Sequence, residues 1–200
     1  MHRPSDRCPG CGGDLTRRQF LQLTAGTAVA GLAGCGGGGS TTVPDPIALD
    51  GRKQCDVCGM VIEDHPGPNG QIFFDDHSPS GHDNPAWFDA LTDLFSYLFE
   101  KESLGWKPVA TYVTDYSTVD YSIEDHEGTT YIESFVAAET FAAADEVVYV
   151  IESGVNGAMG PDLIPFSDPE EAATFSDTHG GTVIESEAID PSMIARAMRG

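Results

Sequence analysis

The stretch Asn84-Pro85-Ala86-Trp87-Phe88-Asp89-Ala90-Leu91-Thr92-Asp93-Leu94-Phe95-Ser96-Tyr97-Leu98 sets the architecture. Asn84 offers a capping side chain, and Pro85 suits a first helical position, where its missing N–H costs nothing. Trp87, Phe88, Leu91, Leu94, Phe95 and Leu98 then recur at three- and four-residue steps, the spacing of one apolar helix face. Upstream, Gln71-Ile72-Phe73-Phe74-Asp75 is an aromatic and β-branched run, hence a strand, joined to the helix by a loop rich in His, Pro, Gly and Asn. Downstream, Val109 to Asp115 and Val147 to Glu152 read as strands, the second apolar on both faces and therefore central. Ser167-Asp168-Pro169-Glu170-Glu171 opens a second helix with a capping signature, and Gly180-Gly181 after His179 closes it. A short last helix, Pro191 to Arg199, carries Met193 and Met198 as packing residues. Two strand-strand-helix units result, so the fold class is α+β with two ββα-type lobes in one compact domain over residues 51–200.

Charge excludes several functions. The 200 residues carry 32 Asp and Glu against 10 Lys and Arg, a formal net charge of -22. Nucleic acid and anionic membrane surfaces need clustered cations to displace their counterions, and this chain lacks them. A hydrophobic share of 40% supports a modest core, so the acidity belongs to the surface of a folded protein. Such self-repulsion largely disappears at molar salt, where the Debye length is about 3 Å. The composition resembles that of proteins from salt-loving archaea. Asp and Glu are scattered and show no calcium-loop spacing.

The N-terminal residues read as an address. Thr16-Arg17-Arg18-Gln19-Phe20-Leu21 followed by the apolar run Leu23 to Ala33 has the form of a twin-arginine export signal, Arg17 and Arg18 being its pair. The run is too short to span a bilayer comfortably. Leu32-Ala33-Gly34-Cys35 then resembles a lipobox, with Cys35 receiving the lipid. Residues 1–34 are therefore expected to be removed, and residues 35–50, rich in Gly, Ser, Thr and Pro, to form a flexible tether to the outer face of the cell membrane. Cys8 and Cys11 leave with the signal.

Of five cysteines, Cys55 and Cys58 then remain as free thiols, in Cys55-Asp56-Val57-Cys58-Gly59-Met60-Val61-Ile62. A CxxC alone serves zinc, disulfides and redox relays alike. The following Gly59-Met60 favours Cu(I), which selects soft sulfur, and the glycine lets the backbone bend between the two donors. Structural zinc would want four Cys or His ligands, blue copper a late Cys-His-Met cluster, and a thioredoxin-type catalyst a helix start, whereas Val57 and Met60-Val61-Ile62 read as extended. A Cys55–Cys58 disulfide stays open outside the cell. Asp89 and Asp115 read as ordinary helix and turn residues.

These residues carry a family resemblance. The Cys55 to Ile62 string, Trp87-Phe88-Asp89 at the opening of the first helix, Tyr112-Val113-Thr114-Asp115-Tyr116, Ala158-Met159-Gly160 with Pro165-Phe166, and Ala172-Ala173-Thr174-Phe175 with His179-Gly180-Gly181 together resemble the NosL family. The resemblance runs in order from Lys53 to Ile189. It implies a NosL- or MerB-like pair of lobes, a lipoprotein that binds Cu(I), and delivery of copper for maturation of nitrous oxide reductase. The partners implied are that enzyme and its ABC-transporter and periplasmic-type maturation complex. Carried over by residue, Cys58, Met60 and Met159 match the family's metal ligands, with Cys55 beside them.

Two departures stand out: Ala158 where the family often has proline, and an enlarged loop from Asp64 to Pro85 whose His65, His77 and His82 are assigned to a solvated loop. Organomercurial lyase shares the lobe topology by resemblance but needs cysteines beyond this pair, so the chain is not expected to be an enzyme. A copper or other-metal lipoprotein of unrelated trafficking role, and an electron-transfer or redox CxxC lipoprotein, remain alternatives.

The charge balance yields a prediction. Far-ultraviolet circular dichroism should show the fold in molar salt and its loss on dialysis into millimolar salt; a spectrum unchanged between the two would refute the salt-loving reading.

Overall fold

The computed structural model describes residues 43–199; Arg17, Arg18 and Cys35, with the rest of the expected export signal, lie outside them. Among the described residues no helix is long and apolar enough to cross a membrane. Eleven strands and three α-helices run in the order β1 (Gly70–Asp75), β2 (Ala86–Phe88), α1 (Leu91–Ser103), β3 (Lys107–Thr114), β4 (Ile123–His126), β5 (Thr129–Ile132), β6 (Phe141–Ala143), β7 (Val148–Ile151), β8 (Val155–Gly157), β9 (Gly160–Pro161), β10 (Ile164–Phe166), α2 (Pro169–His179), β11 (Thr182–Glu185) and α3 (Pro191–Ala197). The α+β class is as expected from sequence.

The two halves share a plan. In the first, the strands lie in the order β2-β1-β3 with β6 added at the edge; in the second, in the order β10-β7-β11. Each half starts with its central strand, adds an antiparallel neighbour on one side, crosses a helix, and returns antiparallel on the other side. Each unit is thus ββαβ, one strand longer than the ββα lobes expected from sequence, because Thr182-Val183-Ile184-Glu185 follows α2 just as β3 follows α1. A third sheet, β4-β5-β8-β9, is antiparallel except for the β5–β8 pair. Apolar side chains from α1 and β1 fill one core with Tyr149, Ile189 and Ile194, and those of β7, β10 and α2 fill the other with Tyr116 and Ile132. Burying each such chain contributes about 1.5–3 kcal/mol, which is why strand β7, apolar on both faces, sits centrally.

Local chemistry explains where the helices lie. Asp168 caps α2 by accepting from Glu170 N, and Pro169 stands at the first turn, as its sequence indicated. The start of α1 differs from the expectation. Asn84-Pro85 does not open it; Ala86–Phe88 is a strand paired with β1, and the helix begins at Leu91. The Asn84 side chain is used elsewhere, accepting from Phe74 N at 3.2 Å and donating to Phe74 O at 2.9 Å and His77 O at 2.7 Å. Ala86 and Phe88 point inward on either side of half-buried Trp87, a period of two that fits a strand.

Two further expectations are corrected. Residues 43–50, assigned to the tether, are held against the domain: Ile47 exchanges two hydrogen bonds with the Gln71 side chain, Leu49 N donates to Val136 O, and Leu49 is fully buried. Met198, expected to pack, is 53% exposed, because α3 ends at Ala197 and Ile194 makes the buried contact.

Ala90 provides no side-chain cap for α1. Asp162, in the second half of the chain, takes that role, accepting from Leu91 N at 3.1 Å and Thr92 N at 2.9 Å as well as from Leu163 N. Burial pushes its carboxyl up to about 7, against the three N–H donors that favour the charge. Asp162→Ala should destabilise the fold by about 1–3 kcal/mol, with Asp162→Asn recovering part of it. The folded-state pKa lies above the unfolded one, so the stability held by the protonated acid is complete below about pH 4 and lost as pH rises through about 7. Thermal melts should therefore show the wild type weakening relative to Asp162→Asn across that window.

Candidate metal centre

Residues 54–61 form a narrow turn. Gln54 and Val61 bridge antiparallel at its base, Cys55 N donates to Met60 O at 2.8 Å, and Gly59 N donates to Cys55 O at 2.9 Å. Gly59 has φ +76°, a left-handed conformation that other residues enter at a cost, so the residue between Cys58 and Met60 is glycine for a backbone reason. Below the turn, Ile62 is fully buried and anchors the short 3-10 segment Ile62–Asp64.

The turn faces the start of α1. Asp89 precedes the helix and Asp93 lies in its first turn, four residues on, which places both carboxyls on one side. Both are buried. Cys58 Sγ donates to Asp89 at 3.4 Å to Oδ1 and 3.5 Å to Oδ2, and Cys55 Sγ donates to Asp93 Oδ2 at 3.6 Å. One ligand atom from each of Cys55, Cys58, Asp89 and Asp93 lies within 4.8 Å of every other. Among the described residues this is the group of Cys, His, Asp and Glu with metal-binding geometry.

Electrostatics favours a bound cation. Burial, more than any charge, pushes the Cys55 thiol far up and the Cys58 thiol up, and the nearby Asp89 adds to both. Burial also raises the Asp93 carboxyl, again with a contribution from Asp89. The ion pairs among the described residues leave Asp89 and Asp93 without a Lys or Arg partner. A buried unpaired carboxylate costs several kcal/mol, and a metal cation displacing the thiol protons would remove that cost while using all four donors. Two thiolates suit a soft ion, and the carboxylates add negative charge close by.

The other residues singled out from sequence are placed as follows. Met60 is half-buried on the same turn as the cysteines. Met159 is 52% exposed in the tight connection between β8 and β9. That hairpin is docked beside the start of α1, since a Cβ on Gly157 would lie 2.7 Å from Asp162 Oδ2, the carboxylate that caps the helix. The histidines do not join the cluster. His77 stacks on Trp106 at 4.4 Å, and His82 stacks on Trp87 at 3.7 Å with Nε2 3.1 Å from Asp56 Oδ1, so His82 is engaged rather than solvated. Asp115 is the turn residue its sequence indicated, accepting from Ser117 N and Ser167 N. Sequence reasoning missed Asp89 and Asp93 as site residues; two acids four apart on an apolar helix face, in Phe88-Asp89-Ala90-Leu91-Thr92-Asp93-Leu94, were the available signal.

A family model described as NosL matches residues 46–194. The chain belongs to the NosL family. It is 26% identical over 184 residues to the copper-binding lipoprotein NosL of Stutzerimonas stutzeri, covering 88% of this chain and 85% of that protein. It is 30% identical over 181 residues to the copper-binding lipoprotein NosL of Achromobacter cycloclastes, covering 90% and 83%. The crystal structure of the copper chaperone NosL from Shewanella denitrificans superposes with a TM-score of 0.58 at 26% identity, covering 72% of this chain and 95% of that one. The α+β fold of this NosL chain is therefore shared with a solved NosL structure. The matched segment begins at residue 46, inside the stretch docked through Ile47 and Leu49.

The thiols provide a test of this electrostatic arrangement. In the metal-free protein, alkylation read by mass spectrometry should modify half-buried Cys58 faster than buried Cys55, and Asp89→Asn should accelerate the Cys58 reaction several-fold by lowering its pKa. Equal rates in wild type and Asp89→Asn would show that Asp89 does not govern the thiol.

Proposed function

We propose that this NosL-family chain is an extracytoplasmic, membrane-anchored chaperone whose cargo is Cu(I). The observation that carries it is the convergence of Cys55 and Cys58 with two buried acids that have no cationic partner among the described residues. The names of the relatives, copper-binding lipoprotein and copper chaperone, support copper as the cargo and a lipid anchor as the attachment. They name binding and carrier proteins, in keeping with a chain that carries rather than converts.

Cys58 is the central ligand in this reading, and one or two of Cys55, Met60 and Met159 supply the further sulfur. Each thiol donates a hydrogen bond to an acid, Cys58 to Asp89 and Cys55 to Asp93, and the proton each would lose when Cu(I) arrives is released to water. Cu(I) accepts two or three sulfur donors, which leaves a coordination position open to an incoming thiolate or thioether. Met159 and Val57, 52% and 47% exposed, offer a docked partner sulfur and apolar surface. Release then proceeds by ligand exchange, without copper entering water as a free ion.

The remaining parts of the reading rest on sequence. Arg17 and Arg18 direct twin-arginine export, residues 1–34 are removed, and Cys35 carries the lipid at the outer face of the membrane, with the tether shortened to the residues before the docked segment. The recipient is the maturation complex of nitrous oxide reductase, including its ABC transporter, on the strength of the family resemblance.

Anaerobic Cu(I) titration against a competing chelator, in high salt, is the test. Wild type should hold one Cu(I), Cys58→Ser should lose stoichiometric binding, and Met159→Leu should weaken it; a Cys58→Ser protein still holding one Cu(I) overturns the ligand assignment. Because the thiols are held protonated, affinity should rise with pH between 6 and 8, by up to about tenfold per unit for each proton displaced.

A further inference from the structure

We propose that Asp56, His82 and Trp87 form a clasp that positions the cysteine turn, with Asp56 and His82 acting as positioning residues for the metal site. The proposal rests on the metal-binding reading above and extends it to residues outside the group of four that could hold the ion.

Asp56 lies between the two thiols in sequence and is bonded on three sides. Its N–H donates to Trp87 O at 2.9 Å, its Oδ2 accepts from Trp87 N at 2.7 Å, and its Oδ1 is 3.1 Å from His82 Nε2. The first two bonds fasten the turn to strand β2, two residues before Asp89. The distance between Cys58 and Asp89 is thereby set by a short rigid path of Asp56, Trp87 and Phe88 rather than by the long excursion through the intervening loop. His82 closes the clasp from that loop. Its ring lies on the Trp87 indole at 3.7 Å and 10° between planes, and its Nδ1 is 2.7 Å from Asp83 O, so the ring is fixed on both edges and one face. Cys55, Asp56, Gly59, Gly81, His82 and Trp87 together line one cleft, which puts the clasp at the mouth of the thiol turn.

The physical role follows from how metal sites are tuned. A flexible turn would have to order two thiols each time it takes up a metal, and the ordering entropy would be subtracted from affinity. A turn already pinned to β2 avoids that loss. Partners one step behind the ligands commonly change metal affinity by about 10–100-fold when removed. His82 lies in the connection between β1 and β2, and the clasp gives that connection a task at the site.

The experiment compares Cu(I) affinity and the rate of Cu(I) loss to an excess of chelator for wild type, Asp56→Ala, Asp56→Asn, His82→Ala and Cys58→Ser, with thermal melts on each. Asp56→Ala should lower affinity by about tenfold or more and speed loss of the ion, Asp56→Asn should restore most of both because it keeps an acceptor for Trp87 N, and His82→Ala should speed loss with an unchanged melting temperature. Trp87 emission, read in a Trp106→Phe background, should brighten in His82→Ala as the stacked ring is removed, and in wild type it should respond to Cu(I). Asp56→Ala and His82→Ala proteins with wild-type affinity and loss rate overturn the clasp while leaving the metal reading intact. A wild type that takes up no Cu(I) overturns both.

Discussion

One buried carboxylate holds the arrangement together. Asp162 takes the free N–H groups of Leu91 and Thr92 at a helix start that has no cap of its own, from 71 and 70 residues away in the chain. A carboxylate without such donors would be expensive to bury, and a helix end without such an acceptor would leave buried N–H groups unsatisfied. Each therefore requires the other. Around this pair gather Asp89 and Asp93 at the start of α1, and the hairpin carrying Met159, whose Gly157 has no side chain to keep Asp162 away. Geometry at the metal centre is thus inherited from a capping interaction between the two halves of the chain.

The centre itself is held in a state that favours a cation. Two thiols and two carboxyls lie within reach of one another in a largely water-free position, and the acids have no basic partner among the described residues. Protons on the thiols keep the metal-free site tolerable, since burial raises both cysteines and each is hydrogen-bonded to an acid. A metal ion bound there would exchange those protons for a stronger attraction to the same donors. Val57, on the cysteine turn, and Met159, between β8 and β9, are both exposed.

Much of the fold was legible because its signals are local. Strand β1 is marked by its Ile72-Phe73-Phe74 run and β7 is apolar on both faces, and α2 announces itself by Asp168, Pro169 and the Gly180-Gly181 stop. Strand β2 was not legible: three residues are too few to show a period of two, and Trp87 and Phe88 also fit the helical spacing of Leu91, Leu94 and Phe95. Asn84 looked like a cap because asparagine is a good cap, yet its side chain closes the preceding loop onto Phe74. Asp89 reads from sequence as an ordinary helix residue and Asp93 carries no signal of its own; both are buried in the fold, facing the cysteine turn.

Sequence alone determined the family and the α+β class and drew attention to the two thiols, because each is written in contiguous residues: the Cys55-to-Met60 string and the apolar periods. Tertiary structure decided which acids stand beside the thiols, which side chain caps α1, and that His82 and Asp56 fasten the turn to Trp87. The reason is that burial and pairing at these positions depend on segments tens of residues apart meeting at one place, which no local pattern encodes.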